Sequence, residues 1–168
     1  MNIIDVHSSR DIETVANLAQ EIWNEHFTPI IGQPQVNYML KQFQSQSSIR
    51  KQIASGCLYL LVKQNSRNIG YAGLIPDNGK HTAQLSKFYL LKSVRGQGVG
   101  RELMHHIEEL CQNRQITRIW LTVNRFNSGP IAAYRKMGFI QTDAVVQDIG
   151  AGYVMDDFIM EKRLSSAT

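Results

Sequence analysis

The chain has 168 residues, 43% of them hydrophobic and 19% charged, the proportions of an ordinary globular chain long enough to bury a sizeable core as a single domain over residues 1–168. No stretch approaches the roughly 20 consecutive apolar residues of a membrane helix, Met1-Asn2-Ile3-Ile4-Asp5 lacks the basic start of a secretory signal, and no run of Lys and Arg argues for nucleic acid. The net charge of +4 suits an anionic partner such as a phosphorylated cofactor. The two cysteines, Cys57 and Cys111, read as reduced thiols packed as small apolar groups, which fits the cytoplasm.

Residues 3–6 form an apolar strand. Ser8 or Ser9 can then cap a helix, with Asp11 and Glu13 near its positive end. Ile12, Val15, Ala16, Ala19, Ile22 and Trp23 recur at helical spacing and give that helix one apolar face. Pro29 and Gly32 should break it. Pro34 opens a second helix carrying Val36, Met39, Leu40 and Phe43, and a short third piece around Ile49 and Ile53 stops at Gly56. Residues 57–62, 69–75 and 83–91 read as strands joined by turn chemistry at 65–68 and 77–80, hence an antiparallel meander. A glycine-rich run follows, then a helix with Leu103, Ile107, Leu110 and Cys111, and a strand over 116–123. Pro130 opens a short helix that ends at Gly138, residues 139–146 and 153–164 close the sheet, and Ser165-Ser166-Ala167-Thr168 reads as a tail. Strand, glycine loop, helix, strand implies one parallel crossover in an otherwise antiparallel sheet.

The run Arg95-Gly96-Gln97-Gly98-Val99-Gly100 lies between a strand and a helix. Its glycines let the backbone turn sharply and approach a ligand. Successive N–H groups at a helix N-terminus then favour a pyrophosphate. The run has neither the dinucleotide spacing nor the Lys-Ser/Thr ending of a P-loop, so the glycines alone also fit a tight connection with no ligand.

The stretch Leu85-Ser86-Lys87-Phe88-Tyr89-Leu90-Leu91-Lys92-Ser93-Val94-Arg95-Gly96-Gln97-Gly98-Val99-Gly100 resembles motif A of the GCN5-related N-acetyltransferases (GNAT), a strand followed by Gln/Arg-x-x-Gly-x-Gly/Ala. Downstream, Trp120-Leu121-Thr122-Val123-Asn124 and the run from Asn127 through Pro130 and Tyr134 to Gly138-Phe139 resemble motif B. Pro130 stands where the family often has Ala, a mild departure at the first helical turn. The resemblance implies a mixed α/β (α+β) fold: a mostly antiparallel sheet of six or seven strands flanked by about four helices. It implies acetyl-CoA as cosubstrate and no metal. It implies that Arg95, Gly96, Gln97, Gly98, Val99, Gly100 and Arg101 hold the pyrophosphate, and that Phe88 and Leu90 pair their backbone with the pantetheine arm. An N–H near Leu90 would bind the acetyl carbonyl and stabilise the oxyanion. Asn127 would hydrogen-bond the arm, although it could equally cap a helix. Tyr134 would protonate the leaving thiolate, although it could equally be a core aromatic.

The implied reaction is direct attack of a neutral amine on the thioester through a tetrahedral intermediate. Many relatives place a Glu on the strand before the glycine loop as base, but Ala83-Gln84-Leu85-Ser86-Lys87 contains no carboxylate. Candidates for the base are His81, Glu25, His26 and the pair Asp156-Asp157, whose side chains on a strand face opposite ways. The aromatic-rich segment 23–43, with Glu25 and His26, could wall a pocket for a cationic amine, and Asp157 could add to it. A small polyamine-like primary amine is therefore the expected acceptor, with a peptide or protein N-terminus second and a modified antibiotic third. A non-catalytic acetyl-CoA-binding module is the reading of a different class. No membrane or nucleic-acid partner is expected, and a free sheet edge could pair two copies into a homodimer.

Overall fold

A computed structural model describes residues 1–165; the tail read at Ser166-Ala167-Thr168 lies outside the described residues. Seven strands form one sheet with hydrogen-bonded order β1-β2-β3-β4-β5-β7-β6. β1 with β2, β2 with β3, β5 with β7 and β6 with β7 are antiparallel, and β4 with β5 is parallel. The strands are β1 (Asn2–Asp5), β2 (Leu58–Gln64), β3 (Arg67–Asp77), β4 (Thr82–Leu90), β5 (Arg118–Asn124), β6 (Ile140–Gly150) and β7 (Tyr153–Arg163). Two compact units build the chain: Met1–Ile75 with Lys87–Leu103, and Pro76–Ser86 with the chain from Met104 on.

In the first unit, α1 (Ser9–His26) starts where Ser8 accepts the Asp11 N–H at 3.1 Å, the cap chemistry expected of a serine there. Its stripe of Ile12, Val15, Leu18, Ala19, Ile22 and Trp23 is buried. Three further helices follow: α2 (Thr28–Ile31), α3 (Gln33–Phe43) and α4 (Gln46–Ala54). The breaks expected at Pro29 and Gly32 are present: α1 ends at His26, Pro29 sits in the first turn of the short α2, and Gly32 separates α2 from α3, positions where a missing N–H or a positive φ costs little. Together with α5 (Val99–Asn113) and α6 (Ser128–Lys136), six α-helices occur among the described residues rather than about four. The β2–β3 hairpin turns on Asn65 and Ser66, both at positive φ (50° and 63°) between paired Gln64 and Arg67, the two-residue geometry whose twist matches the strands. Gly70 on β3 is a close approach: a Cβ there would lie 2.4 Å from Leu90 Cδ2 and 2.7 Å from the Tyr89 carbonyl oxygen.

In the second unit, β4 runs parallel to β5 at Thr82–Gln84, so the expected crossover is present. Helix α5, whose first turn belongs to the first unit, begins inside the glycine run at Val99, where the Gly98 carbonyl already accepts the Glu102 N–H. Strand β6 extends to Gly150, four residues past its expected end. It keeps pairing with β7 through two register shifts, one between Gln141 and Asp143 and one between Asp148 and Gly150. Lys162 and Glu108 form a partly buried ion pair at 2.5 Å. Cys57 and Cys111 are both buried free thiols. Among the described residues no helix is long and apolar enough to cross a membrane, and no group of three or more His, Cys, Asp or Glu is placed to hold a metal ion.

Candidate active site

The first unit carries the glycine loop. A short 3-10 turn, Lys92–Val94, leads from β4 into it. Gly96 and Gly98 have φ of 76° and 84°, and a Cβ at either would meet nothing within 4 Å. Their glycine identity is therefore set by backbone conformation, and the space beside them is open. Gly100 differs: a Cβ there would make only ordinary contacts, 3.5 Å to Leu90 and 3.9 Å to Phe88. Val99 is buried, Arg101 is exposed, and the Gln97 amide donates to the Ser93 carbonyl at 3.0 Å. The Arg95 guanidinium is turned back on its own strand, donating to the Leu90 carbonyl through Nε (3.2 Å) and Nη2 (3.0 Å). Backbone amides, rather than this side chain, are thus the groups the loop offers to an anion.

Glu25 and His26, at the end of α1, meet the same segment. The Lys92 N–H donates to the Glu25 carboxylate at 3.3 Å, and Arg95 Nη1 lies 3.1 Å from His26 Nδ1. Of the aromatics in segment 23–43, Trp23 and Phe27 are buried, whereas Tyr38 and Phe43 are half-buried. Trp23 and Phe27 are 2% and 4% exposed. They stack on each other at 4.2 Å and meet the Tyr89 ring edge-on. Their apolar area goes into the core under β4, where helical periodicity alone would have put Trp23.

Lys87 ends the stretch 83–87 of β4, which contains no carboxylate. It has φ 145°, unusual for a residue other than glycine. Its Nζ donates to the Phe43 carbonyl (2.9 Å), Gln52 Oε1 (2.7 Å) and the Tyr59 hydroxyl (2.6 Å). Burial lowers its pKa to about 8, with the nearby Cys57 acting the other way.

The second unit carries the motif B residues. Asn124 is buried and its Oδ1 accepts the Phe126 N–H at 3.0 Å, which shapes the turn into α6. Asn127 occupies the N-cap position and is buried, but its side chain makes no capping bond. Tyr134 is 8% exposed and packs edge-on to Phe139. Burial raises its pKa well above the ordinary tyrosine value, so it holds its proton near neutrality and has a hydrogen to donate. Asp156 and Asp157 do face opposite ways. Asp156 pairs with Arg125 at 2.6 Å. Asp157 is 4% exposed and sits across from Asn124 on β5. Burial first, then the Asp156 charge, push its pKa up to about 6, against a hydrogen bond from Thr122. Its Oδ1 is buried with no hydrogen-bond partner among the described residues. His81 is exposed, with positive φ, and its ring Nδ1 lies 3.2 Å from the Gln115 carbonyl.

The model of the acetyltransferase (GNAT) family matches residues 16–139. The chain belongs to that family. It is an acetyl-CoA-dependent acyltransferase. A spermidine N(1)-acetyltransferase of Thermoplasma acidophilum is 27% identical over 95% of this chain and 95% of that protein. The crystal structure of the PaiA N-acetyltransferase from Thermoplasma acidophilum in complex with coenzyme A superposes with a TM-score of 0.80 at 26% identity, covering 97% of this chain and 99% of that one. The ribosomal-protein-S18-alanine N-acetyltransferase of Escherichia coli shares the fold, with a TM-score of 0.73 at 18% identity over 99% and 96% of the two chains. For this GNAT enzyme the loop geometry fits coenzyme A on its own terms: open space at two positive-φ glycines and amides at the start of a long helix.

Proposed function

We propose that this enzyme acetylates a primary amine of a small, cationic, polyamine-like acceptor, working as a single acetyltransferase domain. Asp157 carries the reading. The acceptor arrives as an ammonium, and a buried carboxylate with one oxygen lacking a partner among the described residues can pair with it and take its proton. With a pKa of about 6, Asp157 is ionised at neutral pH yet near the range in which a base is effective. The similarity to a spermidine acetyltransferase supports the same acceptor class.

Acetyl-CoA is a substrate here, consumed in each turnover. The amides of Gly96–Gly100 hold its pyrophosphate, the backbone of Phe88 and Leu90 pairs with its pantetheine arm, and Asn127 hydrogen-bonds the arm. An N–H near Leu90 polarises the acetyl carbonyl. Asp157 accepts one proton of the ammonium, the freed nitrogen bonds to the carbonyl carbon to give the tetrahedral intermediate, and the C–S bond breaks as Tyr134 gives its proton to sulfur; the second proton leaves the attacking nitrogen as the amide forms and, through solvent, restores the tyrosine hydroxyl. Glu25 and His26 act in this scheme by fixing the segment Leu90–Arg95.

Turnover of acetyl-CoA, followed as thiol release, is expected with polyamines and to be weak with free amino acids and short peptides. Turnover with peptides alone would select the N-terminal alternative. Coenzyme binding with no turnover on any amine would sink the small-amine reading. The pH profile tests Asp157. The carboxylate is the active form, so kcat/KM should fall about tenfold per pH unit below about 6. Asp157→Asn should lack that limb and turn over slowly at every pH.

A further inference from the structure

We propose that Lys87 is a positioning residue for the cofactor strand: its ammonium, tied at once to α3, α4 and β2, holds the strained point of β4 from which the backbone of Phe88–Leu90 is presented to acetyl-CoA. The inference rests on the reading that Phe88 and Leu90 hold the pantetheine arm.

The three partners account for the whole donor capacity of an ammonium: the Phe43 carbonyl at the end of α3, Gln52 Oε1 on α4 and the Tyr59 hydroxyl on β2. Lys87 Nζ also stands 5.2 Å from the Tyr59 ring centroid, close enough for a cation–π contribution. The Tyr59 hydroxyl donates to Gln52 Oε1 at 2.5 Å, so lysine, tyrosine and glutamine close a small ring of hydrogen bonds. With every donor committed, the side chain is not a ligand for the acceptor. What it fixes is the backbone at its own Cα, where φ is 145°. One residue on begins Phe88, whose ring lies next to Gly100 at the start of α5. Such unusual backbone persists only where its surroundings determine it, and the clamp is the local determinant. The groups facing the ammonium are Tyr59 from β2, Cys57 just before that strand, Gln52 from α4 and the Phe43 carbonyl from α3. Tyr59 and Cys57 are both kept neutral by burial. The charge on the clamp is therefore that of Lys87 alone, present below about pH 8 and lost above it.

The test uses the full chain and three substitutions, Lys87→Met, Lys87→Arg and Tyr59→Phe, with acetyl-CoA affinity by calorimetry and separate KM values for acetyl-CoA and amine. Lys87→Met should weaken acetyl-CoA binding about tenfold, the loss of roughly one charged hydrogen bond, with the amine KM little changed. Lys87→Arg should recover most of the affinity. Wild-type affinity should fall as pH rises through about 8, whereas the arginine variant stays flat. Tyr59→Phe keeps the ring and should weaken the same constant several-fold, which decides the matter if Lys87→Met does not fold. Unchanged acetyl-CoA affinity in folded Lys87→Met or Tyr59→Phe overturns the proposal, as does an equal loss for both substrates alongside a lowered melting temperature. Wild-type protein that fails to bind acetyl-CoA would instead defeat the reading of the strand, and the clamp with it.

Discussion

Tyr134→Phe is expected to lower kcat about 100-fold while leaving acetyl-CoA affinity and melting temperature close to wild type. The phenylalanine ring can keep the edge-on contact with Phe139, so packing is conserved and only the hydroxyl is lost. Proton transfer by a positioned side chain contributes typically 10²–10⁴-fold. The low end applies because the leaving group is a thiolate, an anion far more stable than an alkoxide or amide. The burial that raises the Tyr134 pKa keeps the proton on oxygen at every working pH, so the hydroxyl is always in donor form and its loss should be felt throughout the profile. Steady-state kinetics read the split: kcat and kcat/KM fall together if the interaction exists only in the transition state. A variant with wild-type kcat would remove Tyr134 from the mechanism.

The second large effect is structural. Gly70→Ala places a methyl 2.4 Å from Leu90 Cδ2 and 2.7 Å from the Tyr89 carbonyl oxygen. The leucine methyl can rotate away, but the carbonyl is backbone and must move with its strand. Overpacking of this kind costs about 1–3 kcal/mol. For a chain of this size that is a drop of roughly 2–12 °C in melting temperature. Because the displaced segment is Tyr89–Leu90, acetyl-CoA affinity should fall as well. Leu90→Ala in the same chain should not restore it, since the carbonyl contact remains. A Gly70→Ala protein with unchanged melting temperature and affinity would show that β3 and β4 have more room here than the distances allow.

Much of this was legible in the sequence because local rules and tertiary demands agree. Ser8 caps α1, Pro34 sits in the first turn of α3, and Gly56 and Gly138 end helical segments at positive φ. Gly96 and Gly98 do need positive φ. What escaped the sequence is set by three-dimensional neighbours. Gly70 did leave a signal, since a glycine inside a strand pattern can mark a close backbone approach; with Gly73 in the same strand, which glycine is approached, and by what, is settled only by the fold. Lys87 left none, since its meaning lies in partners 28 to 44 residues away. Trp23 and Phe27 could be read from sequence as pocket lining or as core, and their burial against Tyr89 is visible only in the fold. Asp156 and Asp157 could be separated only by which strand face is covered.

The two cysteines have a practical consequence for following this enzyme with a colorimetric disulfide reagent. Such a dye reacts with the thiolate and needs access to sulfur. Cys57 and Cys111 offer neither: both are buried, and burial raises the pKa of each, that of Cys111 to about 12. Native protein should therefore consume almost no dye of its own. The signal rises only as coenzyme A is set free, and a sudden uptake of two equivalents per chain would report unfolding instead.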